Sequence, residues 1–146
     1  MDEIFFFVPG LPAPGGSKRG FYNAKLNRTL LVEANPEKNR NWRAAVALAA
    51  SEAMAGHELF SGPLLVTMTF RMPRPKTHFN GKGCLKKSAP RWHTSKPDVT
   101  KLIRSTEDAM TGVIWKDDAQ VAWSDAYKLY ADTQAGAEIR VSQLIF

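Results

Sequence analysis

The sequence predicts an α+β fold, in which two main helices pack on a mixed β-sheet and a long basic loop joins a strand to a helix. Two observations lead to this class. Short apolar or β-branched runs bounded by Pro and Gly predict strands. Two segments with apolar residues at helical spacing predict helices, and strands lie before and after each of them. The resulting order is strand, strand, helix, strand, long loop, helix, strand, strand. With 146 residues, 44% of them hydrophobic, the chain suits one core, so we predict a single domain over residues 1–146.

The first half of the chain predicts two short strands and a helix. Residues 4–8 form an apolar run, residues 29–33 are β-branched and aliphatic, and the Pro/Gly-rich segment 10–20 between them is typical of a loop. A helix is predicted from about Pro36 to Met54, because apolar residues recur there at three- and four-residue steps and a glycine follows its end.

A third strand and a long loop follow. Residues 64–72 alternate apolar and polar side chains, which is the period of a half-buried strand. Residues 73–97, which we call the basic loop, combine Gly, Pro and Ser with seven basic residues. A loop of this length inside a compact domain is unusual and often functional, and the alternative is a solvated insertion.

The segment after the basic loop predicts an amphipathic helix from Asp98 to Thr111. Its apolar residues recur at steps of three and four along one face. Asp98 follows a proline and has the chemistry of an N-cap, and Gly112 stands where a glycine commonly ends a helix.

Two final strands are predicted at 120–131 and 137–146, joined by a hairpin turn at 132–136. One face of the first strand would carry four apolar residues: Val121, Trp123, Tyr127 and Leu129. Aromatic residues in these strands suit either the core or an interface, and the pattern leaves both interpretations open.

The charge balance indicates a polyanionic partner. The chain has 20 Lys and Arg residues against 14 Asp and Glu, a net charge of +6. This favours nucleic acid, with an acidic membrane surface as the competing partner. The longest apolar runs are far shorter than the ~20 residues of a membrane-spanning helix. Acidic residues near the N-terminus and a single cysteine, Cys84, fit a soluble protein of the reducing cytoplasm, without a secretory signal.

Asp98 is an isolated acidic residue in basic surroundings. From Arg71 to Arg104 the sequence has ten basic residues and one acidic residue. A phosphodiester backbone is attracted to such a stretch, and hydrolysing it needs a divalent cation, which carboxylate oxygens bind. Asp98, joined by Asp117 or Asp118 beyond the end of the helix, could supply that site if the chain folds back. A 14-residue helix is ~20 Å long, so its two ends cannot share one ion directly.

The motif around these acidic residues resembles a known family. KPDVTKLIR followed by GVIWKDDAQV is similar to the RusA family of Holliday junction resolvases, whose members show a pattern like Asp-x-Asp-Asn-Leu-x-Lys, a helix, an aromatic residue and DDxxV. The likeness is specific over residues 96–121 and weaker over most of the chain. It implies a homodimeric endodeoxyribonuclease, often carried by phages, that resolves four-way DNA junctions in recombination and repair. Hydrolysis of the phosphodiester would use Mg²⁺ or Mn²⁺.

The resemblance also implies roles for individual residues. Asp98 and Asp118 stand at two of the family's catalytic aspartates and would bind the metal. Arg104 stands where the family usually has an active-site lysine, and it would contact the scissile phosphate. Thr100 occupies the position of the remaining aspartate, so the implied catalytic set lacks one carboxylate. Either Asp117 takes over as a ligand or the metal affinity falls.

Basic residues in two regions are predicted to contact the DNA backbone. They are Lys18, Arg19, Arg74, Lys76, Lys82, Lys86, Lys87, Arg91, Lys96 and Lys101. Lys101 replaces an asparagine of the family's motif and adds a positive charge there. An alternative interpretation keeps the binding without the chemistry: a structure-selective DNA-binding protein whose metal site is degenerate because of Thr100.

Overall fold

The fold has a four-stranded mixed sheet, a separate two-stranded sheet and two helices, which confirms the predicted α+β class. The computed structural model describes residues 1–15, 18–33 and 36–145, without the side chains at 18, 19, 21 and 31–33. The elements are β1 (Glu3–Pro9), β2 (Lys18–Asn23), β3 (Arg28–Glu33), α1 (Pro36–Met54), β4 (Leu64–Met72), α2 (Val99–Met110), β5 (Val121–Tyr130) and β6 (Gly136–Gln143). Two short 3₁₀ turns lie at Lys76–His78 and Asp118–Gln120.

The strongly periodic segments form the predicted elements. α1 and β4 have the predicted bounds, and α2 differs from its predicted bounds by one residue at each end. The helices contact each other through Trp42, whose Nε1 donates a 3.1 Å hydrogen bond to Thr106 Oγ1. Both residues are buried, so this bond fixes how the two helices meet. No helix in the described part of the chain is both long and apolar enough to cross a membrane.

The sheet has the strand order β1-β6-β4-β5. β4 is antiparallel to β6 and parallel to β5, so the basic loop and α2 form the crossover between two parallel strands. The predicted hairpin between β5 and β6 is wrong, because β4 lies between them. Alternation shows which face of a strand is buried, but it does not show which strand is the neighbour. Residues 132–136 instead carry the chain past the end of β4, where Ala131 N donates to Met72 O.

One face of the sheet is buried beneath the helices. Val66, Met68 and Phe70 of β4 lie on this face and are at most 1% exposed. The opposite face carries no helix among the described residues, and several of its large side chains stay accessible. On β5, Trp123 and Tyr127 belong to this open face, because they pair with the half-buried residues of β4.

The β2–β3 hairpin is a feature that the sequence analysis missed. The sequence predicts a loop as far as residue 20, but the backbone of β2 pairs antiparallel with β3. The turn is closed by Asn23, whose Oδ1 accepts a hydrogen bond from Leu26 N, and Asn27 has a positive φ of 49°. The Pro and Gly residues before the hairpin hide its strand pattern.

Hydrogen bonds hold the basic loop along its length, whereas a solvated insertion would be held mainly at its two ends. Asn80 closes a tight turn in its first part by accepting two backbone hydrogen bonds. Its last part follows the end of β5, where Tyr130 N donates to Arg91 O at 2.9 Å and His93 N donates to Lys128 O at 3.3 Å. The loop therefore leads directly from the sheet edge to the start of α2.

Candidate functional site

α2 and β5 lie side by side and run in opposite directions. Near the start of α2, Lys128 of β5 donates hydrogen bonds to the carbonyl oxygens of Ser95 and Pro97, at 2.8 and 2.7 Å. Near the end of α2, Ser124 of β5 donates to Glu107 at 3.1 Å. The start of the helix is therefore level with the end of the strand.

Asp98 occupies the predicted N-cap position of α2, but its side chain makes no capping hydrogen bond. The carboxylate is 64% exposed, and the ammonium of Lys101 lies 4.0 Å from its Oδ2. An exposed ion pair at this distance adds little to stability. The carboxylate oxygens thus remain able to accept a ligand. Thr100 and Arg104, which follow on the first turns of the helix, are also exposed.

Lys128 belongs to this site and was missed by the sequence analysis. Burial lowers the pKa of its ammonium, while the charge of Asp98 acts in the opposite direction, so the two groups lie within electrostatic range. Its two hydrogen bonds hold the backbone just before Asp98. No sequence signal links residue 128 to residue 97, because their contact depends on where β5 lies in the sheet.

Residues 116–120, which we call the acidic turn, form a closed turn before β5. Asp117 Oδ1 accepts a hydrogen bond from Ala119 N at 2.9 Å, and Gln120 Oε1 accepts one from Asp117 N at 3.0 Å, which completes a capping box. The D-x-x-Q spacing is the signal that could have revealed this box. Asp118 is exposed and makes no side-chain hydrogen bond among the described residues. Of the two aspartates, Asp117 therefore holds the turn and Asp118 is the one available to a ligand.

Glu107 adds a carboxylate near the end of α2. Burial raises its pKa most, the hydrogen bond from Ser124 opposes this, and the charges of Asp118 and Asp108 raise it further. Glu107 follows Arg104 by three residues, a spacing at which helical side chains can pair, but its hydrogen-bond partner is Ser124. Asp118 therefore lies within electrostatic range of Glu107, at the opposite end of α2 from Asp98.

Asp98 and Asp118 do not meet within one chain. α2 has 12 residues and is about 18 Å long, with Asp98 at its start and Asp118 near Glu107, toward its end. The chain does not fold back as a shared site would require, because the acidic turn precedes β5 and this strand then runs toward Asp98. Among the described residues, no three His, Cys, Asp or Glu side chains form a group that could hold a metal ion.

The basic residues predicted to contact DNA differ in their surroundings. Six residues of the basic loop are exposed: Lys76, Lys82, Lys86, Lys87, Arg91 and Lys96. Arg74 is half-buried, donates to Ala131 O at 3.2 Å and lies 5.2 Å from the centre of the Tyr130 ring, so it anchors the loop to the sheet. The side chains of Lys18 and Arg19 lie outside the described residues.

Comparison with known proteins identifies the class of this chain. The sequence profile of the family described as Endodeoxyribonuclease RusA matches residues 12–142. A Bacillus subtilis (strain 168) protein described as uncharacterized protein YqaN is 31% identical over 135 residues, which cover 90% of this chain and 91% of that protein. These matches define an endodeoxyribonuclease, and thus an enzyme. The chain belongs to the RusA family, as its motif at residues 96–121 predicts.

Proposed function

We propose that this protein is a Mg²⁺- or Mn²⁺-dependent endodeoxyribonuclease that resolves four-way DNA junctions in recombination and repair, acting as a two-fold homodimer. In the dimer, Asp98 of one chain and Asp118 of the other would bind the same metal ion. One observation carries this proposal: both carboxylates are exposed and accept no hydrogen bond from the described residues, although α2 separates them within a chain. Both also lie in the stretch that matches the family.

A two-fold axis offers a way to bring these residues together. Rotation by half a turn reverses α2 and β5, so the acidic turn of one chain can stand beside the Asp98 end of the other. The dimer would then have two equivalent sites, as symmetric cutting of two strands requires. Glu107, near Asp118, could make up for Thr100: it accepts one hydrogen bond, from the Ser124 hydroxyl, and this bond closes no turn, whereas Asp117 holds the capping box.

The donor chemistry suits a hard cation. Asp98 and Asp118 offer carboxylate oxygens, the ligands that Mg²⁺ and Mn²⁺ prefer. When bound, such an ion polarises a phosphoryl oxygen and lowers the pKa of water at the site. The chain itself positions the ligands. Lys128 holds the backbone before Asp98, and the capping box of Asp117 and Gln120 holds the backbone at Asp118.

The cations near Asp98 would bind the DNA backbone. Lys96 and Lys101 flank Asp98 in sequence, and the exposed lysines of the basic loop extend this positive surface. Such charges attract phosphates regardless of base sequence. Arg104 is exposed on α2, where its guanidinium could donate paired hydrogen bonds to the scissile phosphate.

A second candidate function is binding of branched DNA without catalysis. Thr100 has a neutral hydroxyl where the family has an aspartate, and the described residues of one chain contain no three-ligand group. Both observations favour a degenerate metal site. The basic loop would then hold the DNA backbone with no hydrolysis.

Mixing two inactive variants tests the shared site. Asp98→Asn and Asp118→Asn should each fail to cut a synthetic four-way junction in Mg²⁺ or Mn²⁺, while binding it at least as tightly because a negative charge near phosphate is lost. After subunit exchange, half of the dimers would contain one chain of each kind, with one complete site and one site lacking both carboxylates. About a quarter of all sites would then be complete, so the rate of cutting should recover to about a quarter of the parent's rate.

The control is a mixture of Asp98→Asn with the doubly substituted chain, which can form no complete site. Normal cutting by either single variant would contradict the catalytic assignment. A parent that cuts, with a mixture that stays inactive, would contradict the sharing of the site between chains. A parent that binds the junction but does not cut it with either metal would favour the second candidate.

A further inference from the structure

The β2–β3 hairpin exposes its turn and, next to the turn, one of its two faces. Tyr22 and Thr29 are cross-strand partners on that face, and both are exposed, Tyr22 by 61%. The turn, residues 24–27, is exposed at every position, and Leu26 within it is 53% exposed. A two-stranded hairpin by itself is at best marginally stable in water, so this exposed ribbon suits burial against a partner.

The hairpin lies in a long stretch of the chain that has no acidic residue. Residues 4–32 contain four basic residues and no Asp or Glu. Two of the four are exposed, Lys25 in the turn and Arg28 directly after it. The side chains of the other two lie outside the described residues. The charge of the hairpin therefore complements a polyanion such as DNA.

The chain is fixed between the two helices just before the hairpin. Gly15 N donates a hydrogen bond to Lys101 O of α2 at 2.9 Å. Asn39 Nδ2 of α1 donates to Pro14 O at 2.7 Å. A Cβ atom on Gly15 would lie 3.1 Å from Cβ of Ser105, so the absence of a side chain allows this close approach to α2. The chain therefore leads into the hairpin from a fixed point on α2.

That fixed point lies beside the candidate site. Lys101 is in the first turn of α2, and its ammonium lies 4.0 Å from Oδ2 of Asp98. From Gly15 to Lys18, where β2 begins, the chain advances three residues, which span about 11 Å at most. β2 then extends about 17 Å to the turn. The hairpin therefore begins close to Asp98, and DNA bound at Asp98 is within its reach.

We propose that the β2–β3 hairpin enters the major groove of a duplex arm of the branched DNA and holds that arm while Asp98 faces the scissile phosphate. The major groove is about 12 Å wide and admits a two-stranded ribbon, whose strands lie about 4.8 Å apart. In the groove, Lys25 and Arg28 would contact phosphates, which position the DNA without reading its sequence, and Tyr22 would be covered. The inference deepens the proposed function and rests on it for the position of the DNA at Asp98.

The salt dependence of binding tests the phosphate contacts of the hairpin. Lys25→Gln with Arg28→Gln should make the slope of log K against log salt concentration shallower by about 1.8, because each phosphate contact contributes about −0.9. A four-way junction and a linear duplex should show the same change, since the hairpin binds duplex DNA. The matched control, Lys38→Gln with Arg43→Gln, removes two exposed charges from α1 and should keep the parent's slope. Fluorescence anisotropy without divalent metal measures each slope.

A shortened hairpin tests the groove independently. Replacing residues 22–29 with Asn-Gly keeps the pairing of residue 21 with residue 30 and suits a two-residue hairpin turn. Dimethyl sulfate methylates guanine N7, which lies in the major groove. At saturating protein and without divalent metal, the parent should protect guanines within a duplex arm of the junction, and the shortened chain should leave them reactive. Circular dichroism checks that the shortened chain is folded.

An anionic membrane surface is the competing partner of a basic hairpin. Membrane binding grows with buried apolar area, and Leu26 is the one large apolar residue of the turn, so DNA is favoured. Co-sedimentation with phosphatidylserine vesicles that the Lys25 and Arg28 double variant loses, together with unchanged DNA binding, would assign the hairpin to a membrane and overturn the proposal.

Three results with DNA would also overturn it: a double variant with the same slope as the α1 control, a change of slope confined to the junction, or guanine protection that survives the shortening. None of these measurements involves cleavage. If protection depends on the hairpin and the protein does not cut DNA, the proposed function fails and the groove contact stands. If the protein cuts and the shortened chain protects the same guanines, the groove contact fails and the nuclease proposal stands.

Discussion

At the scale of single residues, Tyr130 is the point where the basic loop packs on the sheet. His78 and His93 contact its ring edge-on, with ring centres 4.7 and 4.9 Å away, and Arg74 lies over it. His93 Nδ1 is buried without a hydrogen-bond partner among the described residues. Burial lowers the pKa of His93, and the charge of Lys128 lowers it further. The fold thus favours the neutral imidazole.

We expect His93 to make stability depend on pH. Because its pKa is lower in the folded chain, the unfolded chain binds the proton more readily. The contribution of His93 to the free energy of unfolding is therefore fully present above its unfolded pKa of about 6.5 and is lost as the pH falls. His93→Phe keeps a ring against Tyr130 and cannot be protonated. In urea unfolding at neutral and mildly acidic pH, the variant should lose less stability on acidification than the parent.

The control for this prediction is His57→Gln. His57 is exposed at the end of α1, outside the contact with Tyr130, and the variant is compared with the parent by the same urea unfolding. Equal losses of stability in the parent and in His93→Phe would contradict the role of His93, while a smaller loss in His57→Gln would transfer that role to His57.

The residues of the candidate site differ in how far the sequence reveals them. Asp98 can be singled out because it is isolated among basic residues before an amphipathic helix. Asp117 and Asp118 are neighbours that composition cannot distinguish, and the hydrogen bond to Ala119 N separates their roles. Lys128 is invisible to such reasoning, because its contact with Pro97 exists only after the sheet has formed.

At the scale of elements, the sequence predicts α1, α2 and β4 almost residue by residue, because burial repeats along them with the period of each structure. The β2–β3 hairpin escapes prediction because the Pro and Gly residues before it hide its strand pattern. The order of the strands in the large sheet escapes prediction for a different reason. Strand pairing is a contact between distant parts of the chain, and β5 takes its place beside β4 rather than beside β6, the next strand in sequence. The pattern within a strand does not specify which strand pairs with it.

The junction of the basic loop with α2 depends on Lys128, and we expect Lys128→Met to loosen it. The variant keeps the aliphatic stem but loses the hydrogen bonds to Ser95 O and Pro97 O, at a cost of about 1–2 kcal/mol because the ammonium is only partly buried. Amide hydrogen exchange of residues 94–99 should speed up. Junction cutting should slow through kcat, with the affinity for DNA little changed.

The matched control is Lys82→Met, which removes an exposed lysine from the turn of the basic loop at Asn80. Its exchange over residues 94–99 should equal that of the parent. Lys128→Arg can donate to the same carbonyls and should recover part of the activity. If Lys128→Met exchanges like the parent and cuts at the same rate, Lys128 does not position Asp98.

At the scale of the whole molecule, opposite charges are separated along α2 and β5, although the chain as a whole has a net charge of +6. The sequence contains this separation, because the acidic turn and the basic loop are separate segments. It cannot show that α2 holds Asp98 and Asp118 apart, since a spacing of twenty residues fits either a folded-back or an extended arrangement. A site whose ligands come from two chains requires no particular spacing of those ligands within one chain.

The exposed basic loop should determine how salt weakens DNA binding. Each lysine that neutralises a phosphate releases counterions and contributes about −0.9 to the slope of log K against log salt concentration. Lys86 and Lys87 are both exposed, so replacing both with Gln should make the slope shallower by about 1.8 if each contacts a phosphate. Fluorescence anisotropy with a labelled four-way junction, without divalent metal, measures the slope over a salt series.

A second double variant separates local contact from net charge. Lys38→Gln with Arg43→Gln also removes two charges from exposed positions, but on α1, outside the basic loop. Counterion release depends on phosphates actually contacted, so this variant should keep nearly the parent's slope. If both double variants change the slope equally, net charge rather than the basic loop governs binding. If neither does, the phosphate contacts lie elsewhere, and the positive surface around Asp98 is the next to test.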